Sequence, residues 1–225
     1  MAKFNYRIEE DSVGEKKVPI DAYYGVQSLR GCENFPITGE LLDPDMIGSL
    51  AELKKASAIV NNRVGLMPNK VCKAICKACD EILKGELRDE FIVDPLQGSA
   101  GTSINMNANE VIANRAIEIL GGKKGDYSIV HPNDHVNYGQ STNDVIPSAG
   151  KLTTIKLWAK AKKELVIMVD ELNKKAKEFD KVIHIIKRSG LVQGDTHPTC
   201  LIVIEIDTAL LGLTLNFLYL FFLYA

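Results

Sequence analysis

The sequence predicts a mostly α-helical protein: an irregular and helical amino-terminal domain followed by the first long helix of a central helical bundle, which is truncated. Three observations predict this class. Turn-forming residues crowd the first 45 positions, two segments of helical periodicity follow at 45–64 and 69–83, and a much longer periodic segment begins at Asp144.

The amino-terminal segment has a glycine or proline every few residues, which predicts irregular structure with at most short strands. These residues are Gly14, Pro19, Gly25, Gly31, Pro36, Gly39 and Pro44. Apolar residues then recur at helical spacing over 45–64, and Gly65 and Pro68 mark the end of that helix. A second helix is expected over 69–83.

A glycine-rich loop at 94–103 precedes a third predicted helix, which ends at Leu120, where Gly121 and Gly122 supply a C-cap. The segment 123–143 that follows is polar and is expected to form another loop.

The longest periodic segment begins at Asp144 and is predicted to continue as one helix to about residue 180. Its apolar residues recur about every 3.4 positions, close to the spacing of a bundle seam. Pro147 lies in the first turn, where a missing N–H group is tolerated. The stripe needs partner helices, so we expect a bundle completed by other subunits or by further sequence.

Composition changes abruptly near Arg188, because all 27 Lys and Arg residues lie at or before that position. We therefore expect three parts, at 1–143, 144–187 and 188–225, the last a divergent apolar tail. Its end, 209–225, is uncharged and a little shorter than the about 18 residues of a membrane span. A membrane anchor and an out-of-frame or artificially joined end are the two interpretations.

Charge and cysteine usage exclude some classes of protein. The net charge of −2 offers no field that would attract nucleic acid. The first residues are polar and contain no apolar signal segment, and five cysteines without a framework spacing are typical of reduced thiols. The expected location is the cytoplasm.

Two segments place hydroxyl and amide side chains at the start of a predicted helix. The first is Gly-Thr-Ser-Ile-Asn-Met-Asn-Ala-Asn-Glu at 101–110, and the second is Gln-Ser-Thr-Asn-Asp at 140–144. Helix N-termini bind carboxylates and phosphates through free N–H groups and the helix dipole. For the first segment taken alone, an ordinary N-cap with amides that bond the loop backbone is the favoured interpretation. In the second, Asp144 is the expected cap, which leaves three residues for a ligand.

Two further clusters suggest metals, and a simpler interpretation is favoured for both. The segment His-Pro-Asn-Asp-His-Val-Asn at 131–137 contains only two His and one Asp, so a hydrogen-bonded loop or a secondary anion contact is favoured over a metal. Cys72, Cys76 and Cys79 match an iron–sulfur spacing, but they fall on one face of a predicted helix, where buried thiols behave as small apolar groups.

In this order, the segments at 101–110, 131–137 and 140–144 resemble the aspartase/fumarase superfamily. Residues 18–27, Val-Pro-Ile-Asp-Ala-Tyr-Tyr-Gly-Val-Gln, are similar to the same family, and the likeness extends from about residue 5 to Lys187. Tyr-Tyr-Gly and Ser-Thr-Asn are more like the aspartase branch. The likeness ends where the composition changes, which favours the out-of-frame interpretation of the tail.

The resemblance implies a lyase that eliminates ammonia from L-aspartate to give fumarate, with fumarate hydration as the alternative. Thr102, Ser141, Thr142 and Asn143 match the family's substrate-contacting positions. A second anion site of the fumarase branch matches His131, Asn133 and Asp134. The resemblance also implies a small dicarboxylate substrate, a homotetramer, no metal and no cofactor for the elimination itself.

The family's loop that carries the catalytic serine base is absent from this sequence, so no catalytic residue is assigned. We therefore expect the chain to be inactive alone. A non-catalytic fragment that binds a dicarboxylate or assembles with intact subunits, and a membrane-tethered interaction protein, are the remaining alternatives.

Overall fold

Five α-helices account for most of the described chain, which confirms the predicted mostly helical class. The computed structural model describes residues 5–97 and 100–178 and the backbone of 187–188 and 191–192. In chain order the elements are β1 (Tyr6–Asp11), β2 (Gly14–Pro19), α1 (Val26–Asn34), α2 (Pro44–Arg63), α3 (Asn69–Leu83), α4 (Thr102–Ile119), α5 (Thr142–Glu178), β3 (Lys187–Arg188) and β4 (Leu191–Val192).

The chain divides into two units, residues 1–156 and 157–225. The predicted division at residue 143 stays a prediction. Strands β3 and β4 pair antiparallel, and apart from their residues 188, 191 and 192 the predicted tail lies outside the described residues. Among the described residues, no helix has both the length and the apolar character that a membrane crossing requires.

The first 45 residues are more regular than the sequence predicted. Strands β1 and β2 form an antiparallel hairpin, and α1 follows as a nine-residue helix that was not expected. The sequence contains no signal for α1 because no side chain close to it along the chain caps its start. Instead the Glu110 carboxylate of α4 accepts the backbone N–H groups of Gly25, Gln27 and Ser28, at 2.9, 3.0 and 3.0 Å, and Glu9 accepts that of Val26. Burial raises the pKa of Glu110, which the hydrogen bonds from Ser28 oppose.

Helices α2 and α3 form as predicted and pack against each other. The Asp43 side chain caps α2 by accepting two backbone N–H groups of the first turn, and Pro44 occupies a position where proline is favoured. The apolar face of α3 includes Ile75 and Ile82, which are buried in the main core together with Leu50 of α2.

Helix α4 lies at the centre of the first unit, since 12 of its 18 residues are buried. It packs against α3, α1 and the π-helical turn Pro132–Val136. It ends at the predicted glycine pair, where the N–H of Gly121 is accepted by Glu118 and the N–H of Gly122 by Ile117. Five of its buried residues are polar, so each needs a partner in a neighbouring segment.

Helix α5 is as long as the sequence predicted, but only its first turns are buried. Its buried residues are Val145, Ala149 and Thr153, and the Thr153 hydroxyl lies 3.0 Å from that of Ser49. In the second unit, large apolar side chains of the same helix are exposed, for example Ile167 at 58%. The expectation of partner helices on this stripe stays a prediction.

Lys54 of α2 is fully buried in the first unit, and lysine is rare at buried positions of proteins. Its amine donates to the Asn137 side-chain oxygen at 2.7 Å, and no ion pair to it exists among the described residues. Burial lowers the pKa of Lys54 to about 7, and the nearby Cys79 opposes only part of that change. The amine is therefore held at an energetic cost whenever it is charged.

We expect Glu110→Gln to lower the free energy of unfolding by about 2 kcal/mol, because the new amide places a donor against backbone N–H groups that need an acceptor. Urea unfolding followed by circular dichroism checks this. Glu86→Gln, at an exposed side chain, is the control and should change stability by less than about 0.5 kcal/mol. An equal effect of both substitutions would contradict the capping role.

We expect Lys54→Met to raise the free energy of unfolding by about 1–4 kcal/mol at pH 6, because a buried charge is replaced by an apolar chain of similar length. Between pH 7 and the ordinary lysine pKa of 10.5, the unfolded chain binds a proton that the folded chain does not. Stability of the unsubstituted chain should therefore rise across that window, and the advantage of the variant should shrink. The measurement is the free energy of unfolding of both proteins at pH 6, 8 and 10. A difference between them that does not change with pH would contradict the lowered pKa of Lys54.

Candidate functional site

The start of α4 is set by a glycine. Gly101 precedes the helix with φ +88°, a left-handed conformation that glycine adopts without strain. It brings no side-chain cap, and Thr102, the first helical residue, is exposed. One N–H group of the first turn, that of Ile104, is accepted by the Gln97 side chain at 3.3 Å. Thr102 thus lies at the surface, at the positive end of α4.

The start of α5 differs from the prediction in its cap. The helix begins at Thr142, two residues earlier than expected, so Asp144 lies within the first turn and is not the cap. Ser141 precedes the helix, and its hydroxyl accepts the Asn143 N–H at 3.3 Å while its carbonyl accepts that of Val145. Ser141 and Asn143 are exposed, and Thr142 is half-buried.

The structure brings these two helix starts together. A Cβ added at Gly101 would lie 2.8 Å from the side chain of Ile146, the fifth residue of α5, so glycine permits the close approach. One turn into α4, the Asn105 amide donates to the Thr142 hydroxyl oxygen at 3.1 Å. The segments that carry Thr102 and Ser141–Asn143 therefore meet, whereas the binding of a substrate by these residues stays a prediction.

Two amides and one lysine behind the helix starts were not predicted as part of the site. The Asn137 side-chain oxygen accepts from Lys54 at 2.7 Å and from Asn105 at 3.2 Å. Its amide nitrogen donates to the Gln140 carbonyl, immediately before Ser141. Asn105 and Asn137 lie within motifs already noted, whereas nothing in the sequence around Lys54 signals its position.

Two of the other asparagines of α4 serve the fold. Asn107 bonds the backbone at Glu90 and Val93, and Asn114 bonds the backbone at Tyr23 and Gly125. For these two, the capping and loop-binding interpretation was the right one. Three buried acceptor oxygens have no partner among the described residues, and they belong to Asn105, Asn109 and Gln140. A ligand that donates hydrogen bonds would satisfy an acceptor of this kind.

The segment of the predicted second anion site forms the π-helical turn. His131 caps it, because its Nδ1 accepts the backbone N–H groups of Asn133 and Asp134 at 3.2 and 3.1 Å. His131 and Asn133 line a cavity of about 310 Å³ that includes none of the four predicted substrate residues. The carboxylates of Glu10, Asp11 and Glu110 line the same cavity, so an anion there must overcome their repulsion.

The three cysteines lie on α3, as the spacing predicted. Cys72 and Cys79 are buried, Cys76 is partly buried, and the sulfur atoms of Cys72 and Cys76 lie 4.0 Å apart. Burial raises the pKa of Cys76 to about 11, which keeps this thiol protonated. Within the described residues, no three His, Cys, Asp or Glu side chains are grouped as a metal site would need.

Known proteins match this chain over most of its length. The family described as lyase matches residues 14–187. Aspartate ammonia-lyase of Bacillus subtilis is 54% identical over 178 residues, and class II fumarate hydratase of Halobacterium salinarum is 49% identical over 180 residues. These matches cover 79% and 80% of this chain but only 38% of each relative.

Solved structures share the fold. The fumarate lyase:delta crystallin protein of Brucella melitensis superposes with a TM-score of 0.79 at 41% identity, over 91% of this chain and 48% of that one. Class II fumarase of Schistosoma mansoni gives 0.79 at 33% identity, over 91% and 44%. The chain thus spans less than half the length of the relatives it matches. With the family match over residues 14–187, these likenesses establish that the chain belongs to the aspartase/fumarase superfamily of lyases.

Proposed function

We propose that this chain supplies the anion-binding half of a lyase site that eliminates ammonia from L-aspartate to give fumarate. The observation that carries the proposal is the meeting of two helix starts, with Thr102 on one and Ser141, Thr142 and Asn143 on the other. Four short polar side chains and two positive helix ends are then placed in the two segments that would face one substrate carboxylate.

The chemistry of the elimination explains why such an arrangement is useful. Removal of a proton from the carbon beside a carboxylate builds a second negative charge on that carboxylate. Preorganised donors stabilise this charge by about 3–4 kcal/mol each where one has been removed from an enzyme. The Thr142 oxygen already accepts from Asn105, so its own O–H is the donor left for a substrate.

The proposal names ammonia as the leaving group because the Bacillus subtilis relative, at 54% identity, is an aspartate ammonia-lyase. The 49% identity to a class II fumarate hydratase keeps fumarate hydration as the second candidate. L-Aspartate carries an ammonium group and L-malate a hydroxyl group next to the reacting carbon. A buried acceptor such as the Asn105 side-chain oxygen could accept a hydrogen bond from either group. The leaving group is therefore decided by assay with L-aspartate and L-malate.

Two further expectations from the family remain part of the proposal. A second anion is proposed to bind at His131, Asn133 and Asp134. Because the His131 Nδ1 already caps the turn, the groups that would contact this anion are the other ring nitrogen of His131 and the exposed side chains of the other two residues. A homotetramer in the cytoplasm is proposed for the complete enzyme, and the exposed apolar stripe of α5 is compatible with helix partners from other subunits.

We expect Thr142→Val to weaken fumarate binding about tenfold, because one donor to the carboxylate is lost while the side-chain shape is kept. Titration of fumarate into the 225-residue chain, followed by two-dimensional NMR, measures the affinity. Thr154→Val is the matched control on the same helix, since Thr154 is exposed and its hydroxyl donates to the Gly150 carbonyl of its own helix. An unchanged affinity in Thr142→Val would remove Thr142 from the site.

We expect the purified chain to produce no fumarate from L-aspartate or L-malate, because no serine base has been assigned in it. The ultraviolet absorbance of fumarate measures turnover, and a full-length aspartate ammonia-lyase and a class II fumarate hydratase serve as the positive controls. Turnover by this chain that is lost in Thr142→Val would show that a base is present after all. The substrate consumed in that case would identify the leaving group.

A further inference from the structure

The buried amine of Lys54 is not used by the proposed chemistry. It lies on α2, away from both helix starts in the sequence, and its one hydrogen bond among the described residues is to the Asn137 oxygen at 2.7 Å. A fully buried lysine without a carboxylate partner costs stability. Such a group therefore calls for an explanation beyond packing.

A continuous chain of hydrogen bonds joins that amine to the candidate site. From Lys54 it passes to the Asn137 oxygen, from there to the Asn105 amide at 3.2 Å, and then to the Thr142 hydroxyl at 3.1 Å. A side branch joins the Asn137 nitrogen to the Gln140 carbonyl at 3.2 Å. Both branches end at the start of α5.

The lysine decides how the Asn137 amide is oriented. Below its pKa of about 7 the Lys54 amine is charged and can only donate, so it meets the oxygen of that amide and not the nitrogen. With the oxygen fixed, the nitrogen must face the Gln140 carbonyl, and Asn105 must present its own nitrogen to the same oxygen. Asn105 then donates to Thr142, which leaves the Thr142 O–H for a ligand.

We propose that Lys54 is a positioning residue of the candidate site, which orients the Asn137 amide so that Asn105 and the Gln140 carbonyl hold Thr142 and the start of α5 against a substrate carboxylate. The proposal rests on the proposed function for the identity of the ligand.

A double-mutant cycle with Lys54→Met and Asn137→Ala tests the proposal. Fumarate affinity of the 225-residue chain is measured by NMR titration for both single variants and the double variant. We expect each single variant to bind about tenfold more weakly, and Lys54→Met to have no added effect once Asn137 is alanine. If the losses of affinity of the two single variants multiplied in the double variant, the lysine would act on the anion directly. An unchanged affinity in Lys54→Met would show that the lysine has no role in binding. Either result overturns the proposal.

The matched control is Lys55→Met, which removes the adjacent amine that bonds Asp80 on α3. It should leave fumarate affinity unchanged. Unfolding measurements on the same variants separate positioning from damage, because Lys54→Met is expected to be at least as stable as the original chain while binding more weakly. A loss of stability and affinity together would overturn the proposal.

A second readout does not depend on binding. In the ligand-free chain, the side-chain amide NMR signals of Asn137 and Asn105 and the methyl signal of Thr142 should shift in Lys54→Met and stay in place in Lys55→Met. If the original chain bound no dicarboxylate, the proposed function would fail, and these signals would still decide whether Lys54 orders the network. Unshifted signals would refute the positioning role.

Discussion

The burial of α4 on nearly all sides is the constraint from which the arrangement of the first unit follows. Backbone hydrogen bonds are satisfied within the helix, but its buried asparagines and Glu110 must find partners in whatever packs against them. Glu110 finds the N-terminus of α1, Asn107 and Asn114 find loop backbone, and Asn105 finds the start of α5. One helix therefore organises both the amino-terminal region and the candidate site.

The sequence predicted the elements whose signals are local. Helices α2, α3 and α5 have apolar periodicity and nearby caps or breakers, and their bounds were close to those observed. Helix α1 was missed because its cap comes from Glu110, which is distant along the chain. The cap of α5 was misassigned to Asp144 because Ser, Thr, Asn and Asp in succession all have side chains suited to that role.

The same distinction applies to the candidate site. Sequence motifs predicted Thr102 and Ser141–Asn143 as site residues, and the structure shows that the helix starts that carry them lie next to each other. Lys54 could not be predicted, because an isolated lysine in a helical repeat is usually a solvated residue and only the packing of α2 against the rest of the unit buries it. Glu110 and Lys54 are thus both buried in the first unit, but their hydrogen-bond partners differ in kind and number. Backbone donors surround Glu110, whereas a single amide oxygen meets Lys54.

The contact between Gly101 and Ile146 links the size of one residue to the size of another far along the chain. Any side chain at the first position would enter the volume that the isoleucine fills, so enlargement there requires reduction at the second. The two segments can consequently diverge only as a pair. A change of sequence at the start of α4 is thereby coupled to a change at the start of α5.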